Sequence, residues 1–134
     1  MWMFRDYLDA AGSNVMREWL DSIPLEAAQK IDQRILYLSV APTWPPQFVS
    51  AITNWPDLFE LRVVFGGNQY RPIGFHGPER RQFTIVHAVI EKRKLQKHVL
   101  RTAMERRQVV IDDPKTRSCA HVFRQGPVPR KSCE

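Results

Sequence analysis

Apolar residues in the N-terminal part of the chain predict one strand followed by two helices. The aromatic and apolar run at 2–8 suits a strand, and either Ser13 or Asn14 can cap the helix that follows it. Pro24 suits the first turn of a second helix. The buried stripe of that second helix consists of apolar residues at helical spacing: Ala27, Ala28, Ile31, Ile35 and Leu38. The two helices are therefore expected to form a helical hairpin.

The middle of the chain predicts three strands connected by short turns. Residues 41–56 contain several prolines and read as a loop and an irregular segment. Apolar and polar residues then alternate over 59–65, and glycine-containing turns separate this strand from two more at 70–76 and 83–90. Pro72 lies inside the second of these strands and predicts an edge position or a bulge. The third is apolar nearly throughout, which is typical of a central strand covered on both faces.

The last part of the chain predicts one more helix and then a tail. Apolar residues return to helical spacing from Leu95 onward, with basic residues outside the stripe. We expect a folded domain at 1–111 and a basic, disordered tail at 112–134. The order of elements predicts an α+β fold. Its N-terminal strand and helical hairpin would pack as one layer on a small antiparallel sheet, followed by a C-terminal helix.

Positive charge is concentrated in the strand-rich half of the chain. Residues 60–107 contain eleven Lys or Arg against four Asp or Glu, whereas residues 1–59 contain four against seven. Clustered cations of this kind indicate a surface for a polyanion, most often a nucleic acid. On composition alone, nucleic-acid binding and an ordinary solvated charged face remain equally open.

Several classes of protein are disfavoured by what the sequence contains. No apolar run reaches the roughly 18 residues of a membrane helix, and the first residues do not resemble a signal peptide. We therefore expect a cytoplasmic protein with no membrane partner. Cys119, Cys133 and the four histidines show no ligand spacing, so we expect two reduced, exposed thiols, no metal site and no cofactor.

Three local sequences resemble motifs of the RelE/ParE toxin superfamily, with the HigB-like, phage-derived toxins as the closest group. They are Leu58-Phe59-Glu60-Leu61-Arg62, then Gln69-Tyr70-Arg71 before an apolar strand, then Ile85-Val86-His87-Ala88 leading into Glu91-Lys92-Arg93-Lys94. The resemblance covers about residues 2–108 and implies a RelE-like fold. It also implies the toxin component of a type II toxin–antitoxin system, a ribosome-dependent mRNA endoribonuclease. The implied partners are mRNA on the ribosome and a cognate antitoxin of the helix-turn-helix type.

The chemistry of such a nuclease suits the basic residues of the matching segments. Cleavage of RNA without a metal uses the neighbouring 2′-hydroxyl as the nucleophile, so the protein must orient the attack, stabilise negative charge and assist proton transfer. Arginine suits phosphate oxygens, and the resemblance makes Arg71 the leading catalytic candidate, with Arg62 beside it across the turn. Lys92 would share the charge stabilisation, and His76 is the candidate for proton transfer because it titrates near neutral pH. Glu60 is either a base or a partner of Arg62. The residues expected to bind RNA are Arg80, Arg81, Arg93, Lys94 and Lys97.

Two other functions stay open. The chain has no tyrosine after Tyr70, whereas some members of the superfamily use a tyrosine in the final helix. A non-catalytic relative that binds only nucleic acid or an antitoxin, such as a prophage remnant, is therefore one alternative. The other is a ParE-like inhibitor of DNA gyrase.

Overall fold

The computed structural model of this protein describes residues 1–123. Among these residues, seven strands form one sheet and four helices accompany it. The strands are β1 (Met3–Tyr7), β2 (Val49–Ile52), β3 (Trp55–Leu61), β4 (Val63–Phe65), β5 (Asn68–His76), β6 (Gln82–Ile90) and β7 (Ser118–Ala120). The helices are α1 (Val15–Ser22), α2 (Leu25–Val40), α3 (Lys97–Asp112) and α4 (Pro114–Arg117). The predicted α+β class is confirmed.

The sheet is mixed rather than wholly antiparallel. Its strand order is β2-β3-β5-β6-β1-β7, and β4 pairs with β5 beside this path. The meander of β3, β5 and β6 is antiparallel as predicted, but β1 pairs with β6 in the parallel direction. The expectation of an antiparallel sheet is wrong at this pair, because no short turn connects β1 to β6 and sets its direction.

Helices cover both faces of the sheet, not one. On one face, α1 and α2 pack over a core that includes Phe4, Leu61 and Phe83. On the other face, α3 packs over a second core that includes Leu58 and Ile73. The predicted single helical layer is therefore wrong. Successive residues of a strand point to opposite faces, so β3, β5 and β6 supply both cores and need a cover on each side.

Local sequence explains the helical hairpin well. The Asn14 side chain accepts a hydrogen bond from the Arg17 backbone N–H at 2.8 Å, so Asn14 is the N-cap of α1. In α2 the five residues of the predicted stripe have no exposed surface: Ala27, Ala28, Ile31, Ile35 and Leu38. The hairpin and its buried stripe are confirmed.

Residues 41–56 are less irregular than predicted, because β2 and the start of β3 form a hairpin within them. The two-residue connection includes Asn54 with a φ of 68°, a left-handed conformation that asparagine tolerates better than most residues. A register shift in this pair lies next to Pro56, which removes the proline from the ladder. Pro72 is accommodated where β5 changes its partner from β3 to β4, with a second register shift just beyond it.

The predicted disorder is wrong for the first part of the tail. Residue 112 belongs to α3, and β7 pairs with β1 through Asp6 and Cys119. Cys119 was expected to be a reduced, exposed thiol, but it is half-buried and disulfide-bonded. The remainder of the predicted tail, 124–134 with Cys133, lies outside the described residues.

A buried charge network explains why this segment is ordered. The His121 Nδ1 lies 2.9 Å from Asp6 Oδ1, and its Nε2 lies 2.8 Å from Asp32 Oδ1. Burial alone would lower the pKa of His121, but the charge of Asp6 and the hydrogen bonds with both carboxylates outweigh it and raise the pKa to about 10. A cation between two carboxylates thus fixes the segment after β7 to β1 and α2.

Over residues 1–123, no helix combines the length and the apolar character needed to cross a bilayer.

Candidate functional site

A cleft of about 640 Å³ opens on the α3 face of the sheet. We define the basic cleft by its charged residues, which are Glu60, Arg62, Arg71, Lys94 and Lys97. Its walls are the β2–β3 hairpin on one side and the start of α3 on the other, and its apolar lining includes Ile52, Trp55, Leu95 and Leu100. A volume of this size is in the usual range for ligand sites.

Glu60 lies at the centre of the basic cleft and contacts both arginines. Its side chain is 4% exposed. Its Oε1 accepts a hydrogen bond from Arg62 Nε at 2.6 Å, and its Oε2 accepts one from Arg71 Nη2 at 2.7 Å. The meander therefore brings the two predicted arginines together, as expected, and it does so through one shared carboxylate. Such short hydrogen bonds between charged groups are among the stronger ones in proteins.

Arg71 lines the basic cleft, but most of its N–H donors already bind other groups of the protein. Its side chain is 10% exposed. Its Nη1 donates to the backbone carbonyls of Glu91 at 3.2 Å and Arg93 at 2.5 Å. Its Nε is buried and has no hydrogen-bond partner among the described residues. The guanidinium thus ties β5 and Glu60 to the connection between β6 and α3, which gives Arg71 a structural role.

Arg62 is the arginine of the basic cleft that remains accessible. It lies in the break between β3 and β4, and 48% of its side chain is exposed. Only its Nε is engaged, by Glu60, and its two Nη groups have no partner within residues 1–123. An arginine whose terminal fork faces solvent while its Nε is fixed by a buried carboxylate is well oriented to bind a phosphate oxygen.

The predicted RNA-binding residues separate into those at the basic cleft and those away from it. Lys94 and Lys97 are exposed and line it. Arg93 is exposed and contributes its backbone carbonyl to Arg71. Lys92 is exposed in the same connection but does not line the basic cleft, so its predicted place among the catalytic groups is not supported by its position.

The remaining predicted residues lie at the other end of β5. His76 is five residues from Arg71 along the strand, which corresponds to roughly 16 Å, and it faces the α1–α2 side. Residues an odd number apart on a strand point to opposite faces, so His76 does not share a reaction site with Arg71. Arg80 and Arg81 follow it in the β5–β6 turn and are exposed there. The structure therefore does not bring His76, Arg80 and Arg81 together with Arg71, and the predicted catalytic role of His76 beside Arg71 is not supported by its position.

The hairpin wall of the basic cleft was missed by the sequence reasoning. Thr53 and Asn54 connect β2 to β3 and line the basic cleft together with Trp55. An asparagine in a two-residue connection between apolar runs was a usable hairpin signal. The prolines on both sides of it, which are typical of loops, obscured that signal.

No family model, no curated protein and no solved structure matches this chain. The chemistry of the basic cleft is therefore argued from its own residues. Arg62 and Arg71 bind one carboxylate, and Lys94 and Lys97 line the same cleft. Arg62 and the two lysines present N–H donors to it. Such a set suits an anionic ligand whose oxygens accept hydrogen bonds, with phosphate as the best match.

Proposed function

We propose that the basic cleft binds the backbone of single-stranded RNA and cuts it, as the toxin component of a type II toxin–antitoxin system acting on mRNA at the ribosome. The observation that carries the proposal is the buried carboxylate of Glu60 between Arg62 and Arg71, with Lys94 and Lys97 at the rim. The ribosome and the antitoxin are partners that the motif resemblance implies. The proposed site of action is the cytoplasm.

The proposed reaction is an attack by the 2′-oxygen on the adjacent phosphorus, with departure of the 5′-oxygen. Arg62 donates to a phosphate oxygen and stabilises the charge that develops there. Each oxygen of Glu60 accepts one hydrogen bond in the structure, and a carboxylate oxygen offers about two acceptor sites. Glu60 therefore has capacity to accept the proton of the 2′-hydroxyl. A rim ammonium, from Lys94 or Lys97, donates the proton that the leaving oxygen needs. Arg71 acts as a positioning residue for Glu60.

The test is induced expression in bacterial cells, with growth and the 5′ ends of messages as the readout. Arg62→Ala and the double variant Lys94→Ala/Lys97→Ala should relieve growth arrest and remove new ends inside translated codons. Loss of one stabilising donor typically costs about 10²–10³ in rate. Arg101→Ala is the matched control, since Arg101 is exposed on α3 and does not line the basic cleft. Arg71 is a poor choice for this test because its loss would disturb the fold.

Three results would contradict the proposal. Arrest without new message ends would direct attention to DNA gyrase. Cleavage that survives in both cleft variants would place the reaction elsewhere. No arrest from a folded wild type would favour the second candidate function.

That second candidate is a non-catalytic binding protein, and one observation favours it. The Arg71 guanidinium binds Glu60 and two backbone carbonyls without any ligand, which suits a purely structural role for the arginine. A simple binder should lose RNA affinity steadily as salt rises and should leave the RNA intact. A purified protein that binds but never cuts, with or without ribosomes, would establish this alternative.

The proposed antitoxin would cover the exposed cations of the basic cleft. We expect the antitoxin to present an acidic surface, because the basic cleft is cationic. Since Arg71 is buried, that surface should contact Arg62, Lys94 and Lys97. A purified complex that leaves these three side chains open while the toxin is inactive would contradict charge masking.

A further inference from the structure

A second concave site lies on the face of the sheet opposite to the basic cleft. We define the aromatic pocket by its four rings, which belong to Trp2, Trp44, Phe59 and His76. Its volume is about 400 Å³. The His76 ring lies 4.6 Å from that of Phe59, 5.1 Å from that of Trp2 and 5.4 Å from that of Trp44, measured between centroids. His76 is exposed and the other three are partly exposed, so ring surface remains open to a ligand.

The chemistry of the aromatic pocket suits a planar heterocycle. Aromatic faces stack on nucleic-acid bases without strong sequence preference. Partial burial lowers the pKa of His76, so the imidazole is neutral at neutral pH and presents both a donor and an acceptor.

The aromatic pocket and the basic cleft share a lining residue at one edge of the sheet. β2 is the edge strand, and the exposed residue Ala51 lines both sites. Phe59 in the pocket and Glu60 in the cleft are consecutive residues of β3 and point to opposite faces. A flexible polymer that leaves the basic cleft across β2 therefore reaches the aromatic pocket directly.

We propose that the aromatic pocket holds one unpaired base of the RNA strand whose phosphates lie in the basic cleft, with the strand crossing β2 at Ala51. This inference rests on the proposed function, because it requires RNA in the basic cleft. It assigns His76 to substrate binding and explains why this residue lies far from Arg71.

The experiment measures the dissociation constant of a labelled single-stranded RNA octamer by fluorescence anisotropy, beside an abasic oligomer of the same length. His76→Ala should weaken RNA binding about 5-fold or more, the equivalent of one lost stacking contact, and leave the abasic oligomer unaffected. His76→Phe should retain most of the affinity because it keeps a ring. Ala51→Glu, which places a negative charge on the crossing, should weaken both oligomers. Gln33→Glu is its matched control, since Gln33 is exposed on α2 and lines neither site.

The outcomes separate this inference from the proposed function. If Lys94→Ala/Lys97→Ala weakens RNA binding while His76→Ala does not, the basic cleft stands and the base pocket is refuted. If His76→Ala weakens the two oligomers equally, its effect is structural and the inference also fails. If the wild type binds no RNA, both proposals fall together.

Discussion

Loss of Arg71 should lower the free energy of unfolding far more than loss of Arg62, although both arginines bind the same carboxylate. The Arg71 and Glu60 side chains are 10% and 4% exposed, whereas Arg62 is 48% exposed. Removing one partner of a buried ion pair costs about 3–5 kcal/mol. Without Arg71, Glu60 keeps only the exposed Arg62 as a partner, and the carbonyls of Glu91 and Arg93 lose a donor. A solvent-exposed partner contributes about 0–1 kcal/mol. Arg71→Met should therefore be far more destabilising than Arg62→Met.

These free energies translate into a measurable difference in melting temperature. At about 2.1 cal/mol/K per residue, a chain of 134 residues has an unfolding entropy of roughly 0.28 kcal/mol/K. Arg71→Met should then lower Tm by about 10–18 °C and Arg62→Met by about 0–4 °C. Thermal unfolding followed by circular dichroism, with urea titrations of each variant, measures both values. Equal shifts for the two variants would refute the reasoning.

A third variant tests whether the cost of losing Arg71 comes from the buried charge left on Glu60 or from the hydrogen bonds that Arg71 made. Glu60→Met/Arg71→Met removes both buried charges, so it should be more stable than Arg71→Met alone. If the double variant is instead the less stable of the two, the cost at Arg71 arises from its hydrogen bonds to the carbonyls of Glu91 and Arg93.

Two further predictions concern other parts of the fold. His121 has a folded-state pKa of about 10, above its unfolded value near 6.5, so its stabilising contribution is complete below pH 6.5 and is lost as pH rises toward 10. Urea unfolding at pH 6, 8 and 10 should show falling stability, with a weaker trend in Asp32→Asn, and a flat profile would contradict this. Gly74→Ala should be strongly destabilising, because an added Cβ would lie 2.4 Å from the carbonyl oxygen of Thr84 and 2.5 Å from the Phe83 ring. Wild-type Tm in that variant would show that β5 and β6 can separate at little cost.

Local patterns accounted for the elements formed by neighbouring residues. The cap at Asn14, the stripe of α2 and the β3–β5–β6 meander depend on contacts over a few residues or one short turn, which periodicity reports directly. The parallel pairing of β1 and the addition of β7 were not visible in this way. They join segments about 80 to 115 residues apart, and their partners are selected by the assembled sheet.

The charged residues of the basic cleft could be predicted from the sequence, but the burial of Arg71 among them could not. The sequence placed Arg62 and Arg71 on adjacent strands, and Glu60 connects them. The sequence did not show that Arg71 is buried, because its burial depends on the path of the chain from β6 into α3. It did contain the information that separates His76, since an odd spacing along one strand reverses the side-chain direction.

The pairing of β1 with β6 and β7 has a consequence for synthesis on the ribosome. β1 ends at Tyr7, while its two partners begin at Gln82 and Ser118. At about 5–20 residues per second, β1 remains without a strand partner for roughly 4–15 s after it is made. The helical hairpin can form during that time, because its contacts are local. Asp6 lies in β1 and receives its buried cation only after His121, which is 115 residues further along the chain, has been made. A ribosome that stalls between these two events leaves a chain whose meander is complete but whose first strand still carries an uncompensated carboxylate.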